Sequence, residues 1–164
     1  KLQLEYREKR FKMMLDTGEI TCEAYYNLPS FISPIDSLDS IPKSLYEAEA
    51  NMNNFEHRVI TEIASLDNIL WWHRIIDRKG FCLNGFINHY ADFMVMTKDG
   101  NLVILETKGD HLANDDSKQK LSLGRLWEAK VGSKYRYFMI FNNKDLKLDG
   151  AYTLDEFIQI ICKL

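Results

Sequence analysis

Residues 90–109 read Y-A-D-F-M-V-M-T-K-D-G-N-L-V-I-L-E-T-K-G, and they decide the fold. Two apolar runs flank the tripeptide Lys98-Asp99-Gly100, a pattern that is typical of a buried β-hairpin. The charged residues Asp92, Glu106 and Lys108 stand near the outer ends of the two strands. Because an unpaired charge is costly to bury, these residues need partners or a function. The charged ends of the hairpin therefore mark the candidate functional site.

The length of the turn decides which side chains face each other. Side chains alternate along a strand, so Glu106 and Lys108 share one face and Thr107 lies on the other. A three-residue loop, with Gly100 in a left-handed conformation, places Asp92 directly opposite Glu106. A two-residue loop would put the two carboxylates on opposite faces. The turn residues favour the three-residue loop, which predicts that the three charged residues converge.

Asp92 and Glu106 would then form a pair of carboxylates, which repel each other unless a cation neutralises them. Hard oxygen ligands of this kind suit Mg²⁺ or Mn²⁺, which keep water molecules for a substrate phosphate. A protonated Lys108 cannot bind the metal. It can orient or help deprotonate a metal-bound water, or stabilise charge that develops on the phosphate. The pattern indicates metal-assisted phosphodiester hydrolysis.

The composition is that of one globular domain. The chain has 164 residues, of which 46% are hydrophobic, enough for a single core. Its formal net charge of −3 means that nucleic-acid binding would require a local basic patch. Three scattered cysteines without C-x-x-C spacing predict neither a zinc site nor a disulfide framework, which fits a reducing, cytoplasmic location. We find no signal-peptide pattern and no apolar run of membrane-spanning length, so no membrane association is expected. The chain begins with Lys1 rather than Met, and we expect it to be part of a longer protein.

Residues 1–42 are expected to form an N-terminal helical arm and linker. The arm is charged and helix-prone, with a break at Thr17-Gly18 and a second short helix predicted over residues 19–27. It could be an adaptor toward an upstream domain or a helical cap on the core. Residues 29–42 are rich in Ser, Pro and Asp and predict a linker. The core domain is then expected over residues 43–164.

The core sequence predicts the element order α-β-β-β-α-β, which is a mixed α/β domain, followed by an amphipathic terminal helix. The predicted elements are a helix over residues 44–66 with a capping box at Ser44 and Glu47, strands over 70–76 and 81–87, the hairpin, a helix over 117–131 capped by Asn114 or Asp115, a strand over 135–141 and a helix over 153–162. The strand over 81–87 is expected to contain a turn or bulge at Asn84-Gly85.

Further polar residues are candidates for the site. Glu56 lies beside the apolar face of the first core helix and can reach the edge of the core, although Glu56 and Glu62 are the kind of helix charges that are usually solvated. His73 and His89 stand near strand ends and are candidates for phosphate or water contacts. The helix after the hairpin carries basic residues that form a candidate nucleic-acid-binding face: Lys118, Lys120, Arg125 and Lys130.

The arrangement of Asp92 and Glu106-Thr107-Lys108 resembles the D…E-x-K signature of the PD-(D/E)xK, or restriction-endonuclease-like, nuclease superfamily. Over residues 44–141 the surrounding sequence also resembles the C-terminal nuclease domain of type III restriction Res subunits and related DEAD/DEAH-box helicase proteins. The matching stretches are W-W-H-R (71–74), Y-A-D-F (90–93), I-L-E-T-K-G-D (104–110) and D-S-K-Q-K-L-S-L-G (116–124). The superfamily often has Pro before the Asp, where this chain has Ala91. The chain therefore lacks the proline of the motif but retains its aspartate, Asp92.

The resemblance implies a restriction-endonuclease-like mixed β-sheet core and a Mg²⁺-dependent DNA endonuclease. In that superfamily the Asp and the Glu of E-x-K hold divalent metal, often with a Glu from the preceding helix, and the Lys serves the hydrolytic water. Carried over, the catalytic residues are Asp92, Glu106, Lys108 and Glu56, and the ligands of Mg²⁺ or Mn²⁺ are Asp92, Glu106, Glu56 and the backbone carbonyl of Thr107.

The same resemblance implies partners for the chain. They are DNA, an upstream helicase or translocase domain in the same longer chain, and a methyltransferase subunit of a restriction system. No Walker A motif occurs in the 164 residues, so an ATPase part would lie outside them.

Two other functions remain open at the level of sequence. The E-x-K motif alone is weak, because a second copy occurs at Glu128-Ala129-Lys130 on a predicted helix. A nuclease-like fold could instead serve as a non-catalytic module for nucleic-acid or subunit binding. A nuclease that acts on RNA or on DNA ends is the third possibility.

Overall fold

The computed structural model describes residues 1–23, 26–33, 41–109, 114–143 and 148–164. Within these residues the chain forms a mixed α/β fold. Its elements are α1 (Leu2–Asp16), α2 (Asn54–Ser65), β1 (Ile69–Arg74), β2 (Leu83–Asn84), β3 (Asn88–His89), β4 (Phe93–Thr97), β5 (Leu102–Lys108), α3 (Asp115–Val131), β6 (Tyr135–Phe141), β7 (Ala151–Thr153) and α4 (Leu154–Ile161).

Five strands form one mixed sheet in the order β1-β4-β5-β6-β7. The pairs β1–β4 and β4–β5 are antiparallel, whereas β5–β6 and β6–β7 are parallel. A parallel pair needs a long crossover connection, and α3 provides it between β5 and β6. The predicted hairpin is thus β4 and β5. Both of its faces are buried, which explains its nearly continuous apolar sequence.

The predicted three-residue turn is confirmed. The backbone N–H of Thr97 donates to the carbonyl of Asn101 at 2.9 Å, and that of Gly100 donates to the carbonyl of Thr97 at 3.0 Å. Gly100 has a φ of 81°, the left-handed conformation that the turn requires. The paired residues are Phe93 and Leu105, Met94 and Ile104, Val95 and Val103, and Met96 and Leu102. Continued by one step, this register places Asp92 opposite Glu106.

An apolar layer covers each face of the sheet. On one face α2 and α4 pack against residues that alternate along the strands, namely Trp72, Phe93, Val95, Val103, Leu105, Phe138 and Ile140. On the other face α3 and the inner side of α1 pack against the intervening residues, namely Met94, Leu102, Ile104, Tyr137, Met139 and Phe141. Because successive side chains of a strand point to opposite faces, these apolar strands present an apolar surface on both faces, and helices cover each one.

The first helix packs onto the core as a cap. The ring of Phe11 lies edge-on to that of Phe86, with the centroids 5.8 Å apart. Ser122 of α3 donates its hydroxyl hydrogen bond to Glu8 of α1 at 2.7 Å. The predicted break after α1 is confirmed, since Gly18 adopts a φ of 74°. The second helix that the sequence predicts over residues 19–27 is not found in the described residues of that stretch.

The predicted start of the first core helix, at Ser44, is wrong. The helix α2 begins ten residues later at Asn54, because Asn53 provides the stronger cap. The side chain of Asn53 accepts from the backbone N–H of Glu56 at 2.9 Å, and the carboxylate of Glu56 accepts from the N–H of Asn53 at 2.8 Å. Ser44 instead forms a parallel bridge with Trp72, so this segment lies along β1.

The prediction of one strand over residues 81–87 is wrong, although the turn or bulge predicted at Asn84-Gly85 falls at the start of an observed turn. The segment forms a separate two-stranded hairpin of β2 and β3, outside the main sheet. Three residues, 85–87, connect its strands, and the N–H of Gly85 donates to the carbonyl of Ile87 at 3.0 Å. A side chain at Gly85 would meet Leu123 at 2.6 Å, so the hairpin lies directly against α3. The close approach accounts for the glycine.

The later elements are confirmed with small shifts at their ends. Asn114 caps α3 by accepting from the N–H of Ser117 at 3.1 Å, and Thr153 caps α4 in a capping box with Glu156. The strand β7 was not predicted, since three residues are too few for a periodic pattern. Residues 34–40 of the predicted linker lie outside the described residues. Among the described helices, none has the length and apolar character needed to cross a membrane.

Candidate active site

A cavity of about 450 Å³ lies between the start of α2, the start of β4 and the end of β5. It brings together the four predicted catalytic residues and the predicted carbonyl ligand. Its lining consists of Asn53, Phe55, Glu56, Tyr90, Asp92, Glu106, Thr107, Lys108, Gly109 and Lys120. The charges at the ends of the hairpin therefore face one common space.

Asp92 is the residue directly before β4, and hydrogen bonds fix both of its carboxylate oxygens. Its Oδ2 accepts from the backbone N–H and from the hydroxyl of Thr107, each at 2.7 Å. Its Oδ1 accepts from Nη1 of Arg74 at 2.9 Å. The two oxygens thus join the start of β4 to β5 on one side and to β1 on the other.

Glu106 lies within β5 and is only 4% exposed. Its Oε1 accepts from Nζ of Lys108 at 2.8 Å and lies 3.4 Å from Nζ of Lys120. Burial, reinforced by the negative charge of Asp92, raises the pKa of Glu106 to about 7, although both lysines oppose the shift. Near neutral pH this carboxyl therefore exists in both protonation states.

Glu56 serves two structural partners at the edge of the cavity. Its Oε2 completes the capping box of α2, and its Oε1 accepts from Nη2 of Arg74 at 3.2 Å. Burial raises the pKa of Glu56; the positive charge of Arg74 opposes this, and the negative charge of Asp92 adds to it. At 8% exposure Glu56 is not the solvated helix charge that its residue type suggests.

Arg74 is the site residue that sequence reasoning missed. It is the last residue of the W-W-H-R stretch (71–74) that resembles the nuclease family, but no role was predicted for it. It ends β1, which pairs with β4 so that Arg74 lies opposite Phe93. Its guanidinium reaches the carboxylates of both Asp92 and Glu56, and it lies over the ring of Phe93 at 5.3 Å. Its position as a charged residue at the end of an apolar strand could have marked it as a site residue. The local sequence, however, does not predict that β1 pairs with β4.

Of the four basic residues predicted to bind nucleic acid, Lys120 alone lines the cavity. Lys118 is exposed and lies 4.0 Å from Asp115. Arg125 pairs with Glu128 and Asp149 at 2.6 Å each, and Lys130 lies 3.4 Å from Asp16. These three lie outside the cavity lining, so the basic contribution of α3 to the cavity comes from its first turns.

The two histidines considered from sequence are both buried. His89, 1% exposed, shares a hydrogen bond of 2.8 Å between its Nε2 and the hydroxyl of Tyr137. Burial, together with Lys120 and Lys108, lowers the pKa of His89 to about 4, so the ring is neutral at pH 7. His73 lies 2.9 Å from Glu49 through its Nδ1. Their burial makes both histidines internal partners rather than direct contacts for a phosphate.

The carboxylates are neutralised by side-chain cations. Arg74 faces Asp92 and Glu56, and the two lysines face Glu106. Within the part of the chain that the structure describes, no three or more His, Cys, Asp or Glu side chains are grouped closely enough to hold a metal ion. A metal ion could therefore bind these carboxylates only if they released their present cationic partners.

Comparisons with protein-family models, with curated proteins and with solved structures found no match for this chain. The function of the chain is therefore inferred from the geometry of the cavity and from the chemistry of the residues that line it.

Proposed function

We propose that this chain is a nuclease domain that hydrolyses DNA phosphodiester bonds with the help of Mg²⁺ or Mn²⁺. The observation that carries the proposal is the shared cavity of Asp92, Glu106 and Lys108, with Glu56 at its edge. The three hairpin residues were selected from sequence by a register argument, and that register is the one found between β4 and β5. Carboxylates that can hold a divalent ion, beside a lysine that can orient a water, are suited to metal-assisted hydrolysis.

The chemistry of the donors fits a divalent cation. Asp92 and Glu106 would hold it through carboxylate oxygens, with the backbone carbonyl of Thr107 and with Glu56 on the side of α2. The guanidinium of Arg74 stands between Glu56 and Asp92, which indicates that this end of the cavity is negative enough to hold a cation. When bound, the ion supplies Lewis-acid polarisation of the phosphate.

The two lysines of the cavity would position the attacking water and stabilise the phosphate. Lys108 lies 2.8 Å from Glu106 and would orient the attacking water through its ammonium group. Lys120 approaches the same carboxylate from α3 and would stabilise charge that develops on the phosphate oxygens. Neutral His89 beneath Glu106 adds no positive charge to the cavity, and its ring, packed against Tyr137, supports the floor of the site.

The order of the core elements supports the same proposal. The elements α2, β1, β4, β5, α3 and β6 follow each other as α-β-β-β-α-β, apart from the small β2–β3 hairpin. This is the order expected of a restriction-endonuclease-like core. We propose further that the domain works in the cytoplasm within a restriction-type protein, with a helicase or translocase domain upstream and a methyltransferase subunit as partners.

Cleavage of supercoiled plasmid DNA with Mg²⁺ or Mn²⁺ tests the proposal. The wild-type chain should nick or cut the plasmid, and chelation of the metal should stop the reaction. Asp92→Ala and Lys108→Ala should each lower the rate by at least about a hundredfold, because general acid–base and electrostatic groups contribute on that scale. Lys163→Ala, which changes an exposed lysine outside the cavity lining, is the matched control and should cut like the wild type. Undiminished cleavage by both cavity variants would refute the site assignment.

One observation favours a second candidate, a non-catalytic module that binds nucleic acid or a subunit. Glu56, Asp92 and Glu106 already have cationic partners within the chain. The two candidates differ in metal binding. Calorimetric titration with Mn²⁺ should give heat that disappears in Asp92→Ala and in Glu106→Ala if the site is catalytic. DNA binding without such a metal signal would establish the module instead, and a panel of RNA, linear and circular DNA would separate the nuclease classes.

A further inference from the structure

The guanidinium of Arg74 fills the gap between two of the proposed metal ligands. Its Nη1 donates to Oδ1 of Asp92 and to the carbonyl of Asp92, both at 2.9 Å. Its Nη2 donates to Oε1 of Glu56 at 3.2 Å. The side chain is 17% exposed, so solvent screens these contacts only in part. A single cation thus serves a carboxylate from α2 and another from the start of β4.

The remaining oxygens of the two carboxylates are occupied by the fold itself. Oδ2 of Asp92 accepts both hydrogen bonds of Thr107, which fill its lone pairs. Oε2 of Glu56 accepts the N–H of Asn53 in the capping box of α2. The oxygens that an incoming cation can reach most easily are therefore those that Arg74 holds.

The position of Arg74 also carries a cost. Its Nε is buried and has no hydrogen-bond partner, and an unsatisfied buried donor is unfavourable. Its contacts with the carboxylates are therefore not the best arrangement that a guanidinium can achieve. Because an arginine stays protonated at any accessible pH, only another cation or a conformational change can take over its role.

We propose that Arg74 is the resting counter-ion of this site, and that a divalent metal must displace it from Asp92 in order to bind. This inference rests on the proposed function, because it presupposes that Asp92 binds metal. Arg74 then has two opposite effects. It stabilises the metal-free fold by pairing with Asp92 and Glu56, and it weakens the affinity for metal by competing for the same oxygens.

Mn²⁺ titration of the Arg74→Gln variant tests the competition. Compared with the wild type, Arg74→Gln should bind Mn²⁺ about tenfold more tightly, since the metal no longer replaces an ion pair. In the presence of a chelator the variant should melt at a lower temperature than the wild type, and Mn²⁺ should raise its melting temperature by more. Arg78→Gln is the matched control, because the Arg78 side chain is 88% exposed and pairs with Asp77 rather than with a carboxylate of the cavity lining. It should bind Mn²⁺ like the wild type.

The outcomes separate this inference from the proposed function. If the wild type binds Mn²⁺ and a folded Arg74→Gln binds it equally or more weakly, the counter-ion role is overturned while the metal site stands. If neither protein binds Mn²⁺, both the inference and the proposed metal site fail. Should Arg74→Gln not fold, Arg74→Lys keeps the positive charge but loses the fork that spans both carboxylates. It should still bind Mn²⁺ more tightly than the wild type, and unchanged binding would overturn the inference.

Discussion

At the scale of single residues, Glu106 is the side chain whose environment most constrains the chemistry of the site. It is buried beside Asp92, and two lysines hold it without fully offsetting the cost of burial. Its pKa of about 7 places the change between the neutral and the charged carboxyl near neutral pH. A metal would bind the charged form, so Mn²⁺ affinity should increase as the pH rises through 7.

The raised pKa of Glu106 also predicts how stability depends on pH. The folded-state pKa of about 7 exceeds the ordinary value of 4.5, so the folded protein binds the proton more tightly. This contribution to stability is fully present below pH 4.5 and is lost as the pH rises through 7. Across that interval, in a chelator, the wild type should lose on the order of 3 kcal/mol relative to Glu106→Gln.

Urea unfolding at a series of pH values measures the effect. His89 acts in the opposite direction, because its pKa of about 4 makes its contribution fall as the pH decreases. It is present in both proteins, so the difference between their unfolding free energies isolates Glu106. The variant Glu62→Gln, on the exposed side of α2, should follow the wild type at every pH. A flat difference between the wild type and Glu106→Gln from pH 4.5 to 7 would contradict the assignment.

At the scale of elements, the contact between α3 and β6 sets the position of Lys120. The helix approaches the strand at Gly124, where an added Cβ would lie 2.2 Å from the ring of Tyr137. The same tyrosine bonds to His89 below Glu106. The glycine therefore allows α3 to lie close enough for Lys120 to reach Glu106 at 3.4 Å.

Gly124→Ala should consequently destabilise the protein, although alanine is the better helix former. Overpacking at such a contact costs about 1–3 kcal/mol, which exceeds the gain in helix propensity of about 1 kcal/mol. Urea unfolding measures the difference. Lys118→Ala, at an exposed position six residues earlier in the same helix, should change stability by less than about 0.5 kcal/mol. A Gly124→Ala variant at least as stable as the wild type would show that α3 does not depend on this approach.

The elements that the sequence predicted correctly are those that local pattern determines. The hairpin followed from two apolar runs and a turn that needs glycine, and its register placed Asp92 opposite Glu106. The predicted start of α2 was wrong because Ser44 and Asn53 both carry an acceptable capping pattern. The bridge between Ser44 and Trp72 places Ser44 along β1, which leaves Asn53 as the cap of α2. The role of Arg74 depends on the pairing of β1 with β4, which is a non-local contact.

At the scale of the whole molecule, the fold brings charged side chains from distant parts of the chain together around the cavity. The chain as a whole carries a formal charge of −3, yet the surroundings of the cavity contain three cations, Arg74, Lys108 and Lys120. They come from β1, β5 and α3, three elements that meet only in the folded chain. These cations offset the three carboxylates Glu56, Asp92 and Glu106, so a polyanionic substrate would meet paired charges at the cavity rather than the acidic average of the protein.

The location of bound Mn²⁺ tests the central claim most directly. In crystals of the chain that contain Mn²⁺, anomalous scattering should reveal an ion in the cavity, with carboxylate oxygens of Asp92 and Glu106 at about 2.1 Å. Crystals of Asp92→Asn under the same conditions should lose that peak. A cavity without an ion at a Mn²⁺ concentration that supports DNA cleavage, or an ion bound only to residues outside the cavity, would contradict the account.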